Sequence, residues 1–407
     1  MTLEQKRDCG TVRKLAEQVV ELALSDEYEA RRKRWRDVNA LRKPDRPPVW
    51  CKPVGAWPEL LPSDSLTCTD PLCRRVETTL RQHLIKHEIG DDSIIEPWWG
   101  VGAAFDQDTP DTWGVPIRHI PAPSSGGAWK FDPPLKSEED FDRLTISNYT
   151  YNEAKTQRAL SQMSELLGDT MEVRLTCGPP LGAGLGGIAA NLRGLDQLMY
   201  DMIDRPDLVH RLMSHLQKGV LRAQKTYEAS GLLTLNNHGP MYCSDPPDGS
   251  VQQGDISLRH LWGHTESQEF QEVSPQMWEE FLLSYQIPIL SQFWLTSYGC
   301  CENLTRKIDG VLKIPNLRIF VCSAWTDLEK VVDAVGDRYT IMWRQKATDV
   351  VFPDDMAPIR KHLEEGMKIV QGCYVQIVLR ELQTLNGRPE RLADWAKVAK
   401  EVAAKFS

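Results

Sequence analysis

The chain has no excess of positive charge, and this argues against general binding to nucleic acid. Its 407 residues include 48 lysines and arginines against 57 aspartates and glutamates, for a formal net charge of −9. Phosphate backbones need a basic surface, which this balance does not predict. Long apolar runs are also missing: no stretch of about 18 apolar residues is present, so we expect no membrane span.

Cysteine is too sparse for a disulfide scaffold, at ten residues in 407. The first stretch, MTLEQKRDCG, lacks the apolar core of a secretory signal. We therefore expect a reduced, cytoplasmic protein, in which a strained disulfide between the adjacent Cys300 and Cys301 is disfavoured. No CxxC or HExxH motif occurs, so a metal site would need ligands that are distant in the chain.

The chain does contain short apolar runs that alternate with helical segments from about residue 93 onward. Alternating β and α units predict a parallel sheet, and eight of them predict a closed (β/α)8 TIM barrel. Two helices are well marked by apolar residues on one face, one opening at Pro206 and the last opening at Pro389. The eight runs are SIIEPWWGV, MEVRLTC, LLTLNN, LRHLWGH, FWLTSYG, LRIFVCS, YTIMWRQ and YVQIVLRE.

The barrel is predicted over residues 93–407, and residues 1–92 are predicted to form a helical and proline-rich extension packed on it. Residues from about 106 to 170 are predicted to form an inserted loop and hairpin region. The basic run RRKRWR, Arg31 to Arg36, is interpreted as a solvated helix face, with docking of an acidic partner as the alternative.

Active sites of such barrels lie at the C-terminal ends of the strands, so polar residues that follow the apolar runs are candidates. Zinc binds cysteine, histidine and carboxylate, and a catalytic zinc has three protein ligands. Buried packing of the cysteines and structural hydrogen bonding of the histidines are the alternatives. The candidates are Glu96, Cys177, Asn236, Asn237, His238, His264, Glu266, Cys300, Cys301, Glu302, Cys322, Arg344, Arg380 and Glu381.

Two further features concern the ligand. The stretch GAGLGG, residues 182–187, matches GxGxxG, but Pro179 and Pro180 separate it from the strand, so we interpret it as a loop that approaches a bulky ligand closely. Tryptophans at strand ends predict either core packing or an aromatic ligand pocket. The predicted substrate-binding residues are Trp98, Tyr298, Trp325, Trp343 and Arg344.

Three stretches, LWGHTESQEFQEVSPQMWEEFLLSYQIPIL, WLTSYGCCENL and NGRPERLADWAK, resemble the uroporphyrinogen decarboxylase superfamily, and the likeness covers roughly residues 160–405. That family has the (β/α)8 fold. It contains decarboxylases and zinc-dependent methyltransferases that work with corrinoid proteins. The chain is more similar to the methyltransferases, because PPVWCKPVGAWPEL lacks the R-Q-A-G-R signature of the decarboxylases.

The methyltransferases of the family carry an H-x-C-G-N ligand motif, and residues 301–303 take the C-G-N place. Gly299 stands where the family has histidine, and Glu381 stands near the position of a second family cysteine. Cys300 is then a spacer that is expected to point the other way. The resemblance implies a zinc ion held by Cys301, Glu381 and one of His264, Glu266 and His238, of which we predict His264.

The resemblance also implies a reaction. The chain would transfer a methyl group to the cobalt of a corrinoid on a partner protein, since it has no D-x-H-x-x-G run of its own. The aromatic strand ends favour an aryl methyl ether substrate, that is, O-demethylation, with zinc as Lewis acid and with Glu266 or His238 supplying the proton. The alternatives are a cofactor-free decarboxylase that clamps carboxylates with Arg344 and Arg380, and a non-enzymatic barrel that binds a corrinoid or tetrapyrrole.

Overall fold

A computed structural model describes residues 2–120, 130–247, 249 and 251–407. The strands are β1 (Val49–Cys51), β2 (Trp98–Gly102), β3 (Phe105–Gln107), β4 (Arg118–Ile120), β5 (Lys130–Asp132), β6 (Tyr149–Tyr151), β7 (Glu172–Thr176), β8 (Trp262–Thr265), β9 (Leu295–Tyr298), β10 (Leu317–Cys322), β11 (Thr340–Gln345) and β12 (Tyr374–Leu379). The helices are α1 (Leu3–Ala23), α2 (Asp26–Asn39), α3 (Trp57–Leu60), α4 (Pro71–Ile89), α5 (Glu153–Leu167), α6 (Leu185–Arg193), α7 (Leu195–Asp204), α8 (Pro206–Ala229), α9 (Pro275–Trp278), α10 (Ser284–Leu290), α11 (Ile308–Val311), α12 (Leu328–Val335), α13 (Ala347–Val351), α14 (Ala357–Ile369) and α15 (Arg391–Lys405).

A six-stranded parallel sheet forms the centre of the molecule, in the order β1, β12, β11, β10, β9, β8. Strands β2 and β7 form a second parallel pair. The α/β fold with a parallel sheet is TIM-barrel-like, as the alternation of strands and helices predicts. Among the described residues, the hydrogen-bonded strands do not close into the predicted eight-stranded barrel, because the pair β2–β7 is not hydrogen-bonded to the six-stranded sheet.

The predicted strand LLTLNN, residues 232–237, forms no ladder, which corrects one of the eight runs. It lies next to the end of β7, where the Thr234 N–H donates to the Cys177 carbonyl over 2.9 Å. On the other side, the amide of Asn236 both donates to and accepts from the backbone of Trp262, each at 2.9 Å. A side chain thus takes the backbone partners that a strand would have used.

The extension is not separate from the sheet, because β1 lies within residues 1–92 and pairs in parallel with β12. The end of α2 also covers the N-terminal ends of the strands. The Thr340 hydroxyl donates to the Val38 carbonyl over 2.8 Å, and the Gln376 amide donates to the Asn39 side chain over 2.8 Å. These contacts close the end of the sheet that faces away from the strand C-termini.

The interpretation of the basic run as a solvated face is wrong for three of its residues, since Arg31, Arg34 and Trp35 are buried. Arg34 donates to the buried Asp92 over 2.8 Å and to Asp45 on its other edge. Arg31 donates to the Ser93 carbonyl over 3.3 Å. Burial of a guanidinium requires such partners, so these arginines join α2 to the segment before β2.

The insertion is partly helical. The antiparallel pairs β3–β6 and β4–β5 confirm the hairpin prediction, but α5 occupies residues that were predicted to be loop. The Asn152 side chain caps α5 and its buried residues include Met163 and Leu167, which gives the helix both a start and a core contact. Within the described ranges, no helix combines the length and apolarity needed to cross a membrane.

Candidate metal and substrate site

The turn after β9 requires glycine at position 299, where the sequence resemblance implies that a histidine ligand is missing. Gly299 has φ +112, and a Cβ there would lie 2.9 Å from a Leu304 methyl carbon and 3.1 Å from the Val321 carbonyl oxygen. Its N–H donates to the Thr265 carbonyl over 2.9 Å. Both the backbone conformation and the lack of space exclude a larger side chain at this position.

Cys300 does not point away from Cys301, which corrects the prediction that it is only a spacer. The two Sγ atoms are 3.6 Å apart and line the same cavity of about 260 Å³. The fully buried Glu302 fixes the turn, because its carboxylate accepts from the N–H groups of Cys300 and Ser267, each at 2.8 Å. The turn therefore presents both thiols together.

Glu381 completes a group of three possible metal ligands at the end of β12. Ligand atoms of Cys300, Cys301 and Glu381 all lie within 4.8 Å of one another. Glu381 has φ +62, an uncommon conformation for a residue with a side chain. Arg344, near the end of β11, bridges two of the three, donating to the Glu381 carboxylate over 3.1 Å and to the Cys300 sulfur over 3.5 Å.

The two thiols ionise very differently. The Cys301 thiol donates to Cys300, and this hydrogen bond, with the charge of Arg344, lowers the pKa of Cys300 to about 6. The same hydrogen bond, with burial, raises the pKa of Cys301 well above its ordinary value. One thiolate is thus ready at neutral pH, and the second proton must leave before both sulfurs can bind a metal.

The donor set fits zinc. Two thiolates at Zn–S distances of about 2.3 Å in tetrahedral geometry would lie roughly 3.8 Å apart, close to the observed 3.6 Å. Two sulfurs and one carboxylate oxygen also give the three protein ligands of a catalytic zinc, with one position open to substrate.

His264, the predicted third ligand, is not part of this group in the described residues. Its Nδ1 shares a 2.7 Å hydrogen bond with the Ser297 hydroxyl, which also contacts the Tyr242 hydroxyl at 3.0 Å. His264 is an exposed residue, yet many protein atoms lie close to its ring and reduce the hydration of the charged form. This desolvation, with the charges of Arg344 and Arg380, lowers the pKa of His264 to about 4.

Glu266 stands in a strongly acidic neighbourhood. Burial, then the charge of Glu269, raises the pKa of Glu266 to about 8, with smaller contributions from Glu302 and Cys300. The glycine-rich loop passes beside it, since a Cβ on Gly184 would lie 3.8 Å from the Glu266 carboxylate. Glu266 therefore holds a proton at neutral pH.

The other predicted catalytic residue lies in a different cavity. His238 and Trp98 line a space of about 420 Å³ together with Cys177 and Asn236. Their rings meet edge to face with centroids 5.0 Å apart. Burial lowers the pKa of His238, so it is neutral.

Two predicted substrate-binding residues are core residues instead. Tyr298 is fully buried, donates to Gln286 over 2.9 Å and accepts from Trp278 over 3.1 Å. Trp343 is buried against α14, where a Cβ on Gly366 would overlap its indole ring. Strand residues alternate between the two faces of a sheet, so adjacent residues at a strand end point in opposite directions and cannot all line the site.

The cavity beside the thiols contains the remaining predicted residues and some that were not predicted to bind substrate. Trp325 is 61% exposed there, and Arg344 is 3% exposed. Arg380 was a strand-end candidate, whereas Lys346 and Gln345 were not recognised, although both directly follow Arg344 in the strand-end stretch RQK.

No family model matches the chain, and no curated protein matches it. The chain is similar to a solved structure described as a methyltransferase from Methanosarcina mazei. The similarity covers 91% of this chain and 98% of that chain, with a TM-score of 0.50 and 13% sequence identity. At this identity the likeness shows the fold, and the α/β architecture of this chain is therefore one that a methyltransferase uses.

Proposed function

We propose that the chain is a methyltransferase that binds zinc through Cys300, Cys301 and Glu381. It would pass the methyl group of an aryl methyl ether to the cobalt of a corrinoid on a partner protein. The observation that carries the proposal is the convergence of two thiols and a carboxylate within 4.8 Å, beyond the C-terminal ends of β9 and β12.

The shared fold supports the reaction class, and the sequence resemblance supports the metal and the methyl acceptor. The proposal includes membership of the uroporphyrinogen decarboxylase superfamily and a complete (β/α)8 barrel. It also includes a reducing, cytoplasmic environment, which the ten free cysteines favour.

The chemistry divides between the metal and the chain. When bound, zinc supplies a Lewis acid that makes the ether oxygen a better leaving group. The C–O bond would break with its electron pair staying on the oxygen, and the cobalt(I) of the partner's corrinoid would supply the electron pair that takes up the methyl group. Arg344 holds the Glu381 carboxylate and the Cys300 sulfur on the same side of the cavity.

The departing oxygen needs a proton, and Glu266 is suited to provide it. Its raised pKa of about 8 keeps it protonated at neutral pH. His264 is a poor donor because its pKa is about 4. His238 lies in the other cavity, with Trp98, and we no longer assign it this role.

Metal analysis together with a methyl-transfer assay tests the proposal. We expect about one zinc per chain in the native protein and in Cys373→Ser, a partly exposed cysteine outside the site and therefore a matched control. We expect Cys301→Ser and Glu381→Gln to lose zinc and methyl transfer from methoxybenzoate to reduced cobalamin. Full activity of zinc-free protein, or of Cys301→Ala, would contradict the proposal.

One observation favours a second candidate, a cofactor-free decarboxylase. The Nε atoms of Arg344 and Arg380 are buried and make no hydrogen bond among the described residues. Two buried Nε–H groups without a hydrogen-bond partner suit a substrate carboxylate, which a decarboxylase would also need. Release of CO2 from an aromatic acid by chelator-treated protein, without methyl transfer, would favour this candidate.

A further inference from the structure

The cavity beside the two thiols has more cationic than anionic side chains in its lining. Arg344, Lys346 and Arg380 line it, and Glu381 is the one carboxylate among its lining residues. Lys52 is a further cationic side chain close to Arg380, because burial and then the charge of Arg380 lower the pKa of the Lys52 amine. If two thiolates and Glu381 bound a divalent cation, most of their negative charge would be neutralised by the metal. The positive charges of the arginines and lysines would then lack balancing anions.

The guanidinium groups are also incompletely bonded. The side chain of Arg344 is 3% exposed, yet its Nε makes no hydrogen bond among the described residues. The buried Nε of Arg380 makes none either, and its distance to the Glu381 carboxylate is 3.8 Å. Both amide atoms of Gln345, which is 2% exposed, are likewise without a partner.

Buried polar groups are nearly always hydrogen-bonded, so a group of such atoms at one cavity indicates a polar ligand. Its charge follows from the donors, since arginine offers only N–H groups and pairs best with a carboxylate or phosphate. Trp325, with the Lys346 amine 4.7 Å from its ring centre, provides an exposed aromatic surface at the same cavity.

We propose that this cavity binds the carboxylate of the substrate, with Arg380 and Arg344 as its donors and Trp325 against the aromatic ring. The substrate would then be a methoxylated aromatic acid rather than a neutral ether. This inference rests on the proposed function for the methoxy group, but the carboxylate site itself depends only on the arginines.

Calorimetric titration of the whole protein with two probes tests the inference. The probes are 3-methoxybenzoate and 3-methoxybenzamide, which have nearly the same shape and differ in charge. We expect the acid to bind at least about tenfold more tightly than the amide, because a charge-assisted pair is lost with the amide. Equal affinities, or no binding of the acid, would overturn the inference.

Variants locate the effect. Arg380→Gln should weaken acid binding about tenfold and leave amide binding unchanged, whereas Arg42→Gln on the exposed surface should change neither. Acid binding that is unaffected in a folded Arg380→Gln variant would overturn the assignment of Arg380. Should this variant unfold in a thermal melt, the acid and amide comparison on the native protein decides alone.

The outcome is separable from that of the proposed function. Cys301→Ser should keep the preference for the acid while it loses zinc and methyl transfer. Tight acid binding by a native protein that transfers no methyl group would preserve the carboxylate site and contradict the methyltransferase. Methyl transfer from the amide that is as efficient as transfer from the acid would support the methyltransferase and contradict the carboxylate site.

Discussion

The reactivity of Cys300 in zinc-free protein is the sharpest test of the site geometry. Its pKa of about 6 arises chiefly from the hydrogen bond donated by Cys301, with the charge of Arg344 adding to it. At pH 7 such a thiol is roughly 90% ionised, whereas an ordinary thiol with a pKa near 8.5 is about 3% ionised. A low pKa also makes the thiolate less nucleophilic, by about tenfold here.

These two effects oppose each other and leave a rate difference of only about threefold at pH 7, so the rate at a single pH is a poor measurement. The midpoint of the rate against pH is the useful one. We expect alkylation of Cys300 by iodoacetamide to rise with pH and to reach half its plateau near pH 6. Mass spectrometry of the peptides separates Cys300 from Cys9 and Cys373, which are also partly exposed and serve as internal references.

Two variants isolate the cause. Cys301→Ala removes the donor and should move the midpoint of Cys300 upward by about one unit or more. Cys301→Ser keeps an O–H donor and should leave the midpoint within about half a unit of the native value. The reasoning is refuted if native Cys300 titrates near pH 8.5, or if Cys301→Ala leaves its midpoint unchanged.

Three other predictions concern the mechanism and the core. Glu266→Gln should reduce methyl transfer by about 100-fold. Native activity should fall as pH rises through about 8, because the Glu266 carboxyl, whose pKa is raised to about 8, then loses its proton. Lys86→Met should lower the free energy of unfolding by about 3–5 kcal/mol in urea melts, since it leaves the fully buried Asp91 carboxylate without its cation. Gly366→Ala should cost about 1–3 kcal/mol, because the new methyl group overlaps the indole ring of Trp343.

The two stability predictions have control variants, and the prediction for Glu266 has an outcome that would refute it. Lys361→Met breaks an exposed ion pair with Glu365 and should change stability by less than about 1 kcal/mol. A flat activity profile between pH 7 and 9 would remove Glu266 as the acid. Gly10→Ala, in a helix and with open space around the new Cβ, should not destabilise the protein as Gly366→Ala does.

The helices follow closely from local signals. The helix predicted to open at Pro206 is α8, whose buried residues include Leu208, Leu212, Leu216 and Val220. The last helix, α15, buries the predicted stripe that includes Trp395 and Val398, although it begins at Arg391. Spacing on one helix face is a local property, so these predictions needed no knowledge of the rest of the fold.

Strand partners were less predictable. The three residues of β1 carry little local signal, and their pairing with β12 joins residues more than 300 positions apart. Residues 232–237 have the apolar composition of a strand, but the Asn236 side chain makes the hydrogen bonds to the Trp262 backbone that a neighbouring strand would have made. Composition does not reveal which groups will compete for a hydrogen bond.

Part of the site could be anticipated and part could not. Cys301 and Glu381 follow parallel strands, and Arg344 lies near the end of a third. The C-terminal ends of parallel strands meet at one edge, so their convergence was predictable. The direction of Cys300 was not, because alternation along a strand sends adjacent side chains to opposite faces. The positive φ of Gly299 ends that alternation, and Glu302 then holds the Cys300 backbone.

By itself, the sequence determined the α/β class, the principal helices and the residue types available at the strand ends, because these depend on local spacing and composition. Only the tertiary structure decided which of those residues meet. It brought both thiols close to Glu381, placed Tyr298 and Trp343 in the core, and left the Nε groups of Arg344 and Arg380 without a hydrogen bond among the described residues. Distances of a few ångströms between atoms from separate strands depend on backbone turns and side-chain packing, which a linear pattern does not encode.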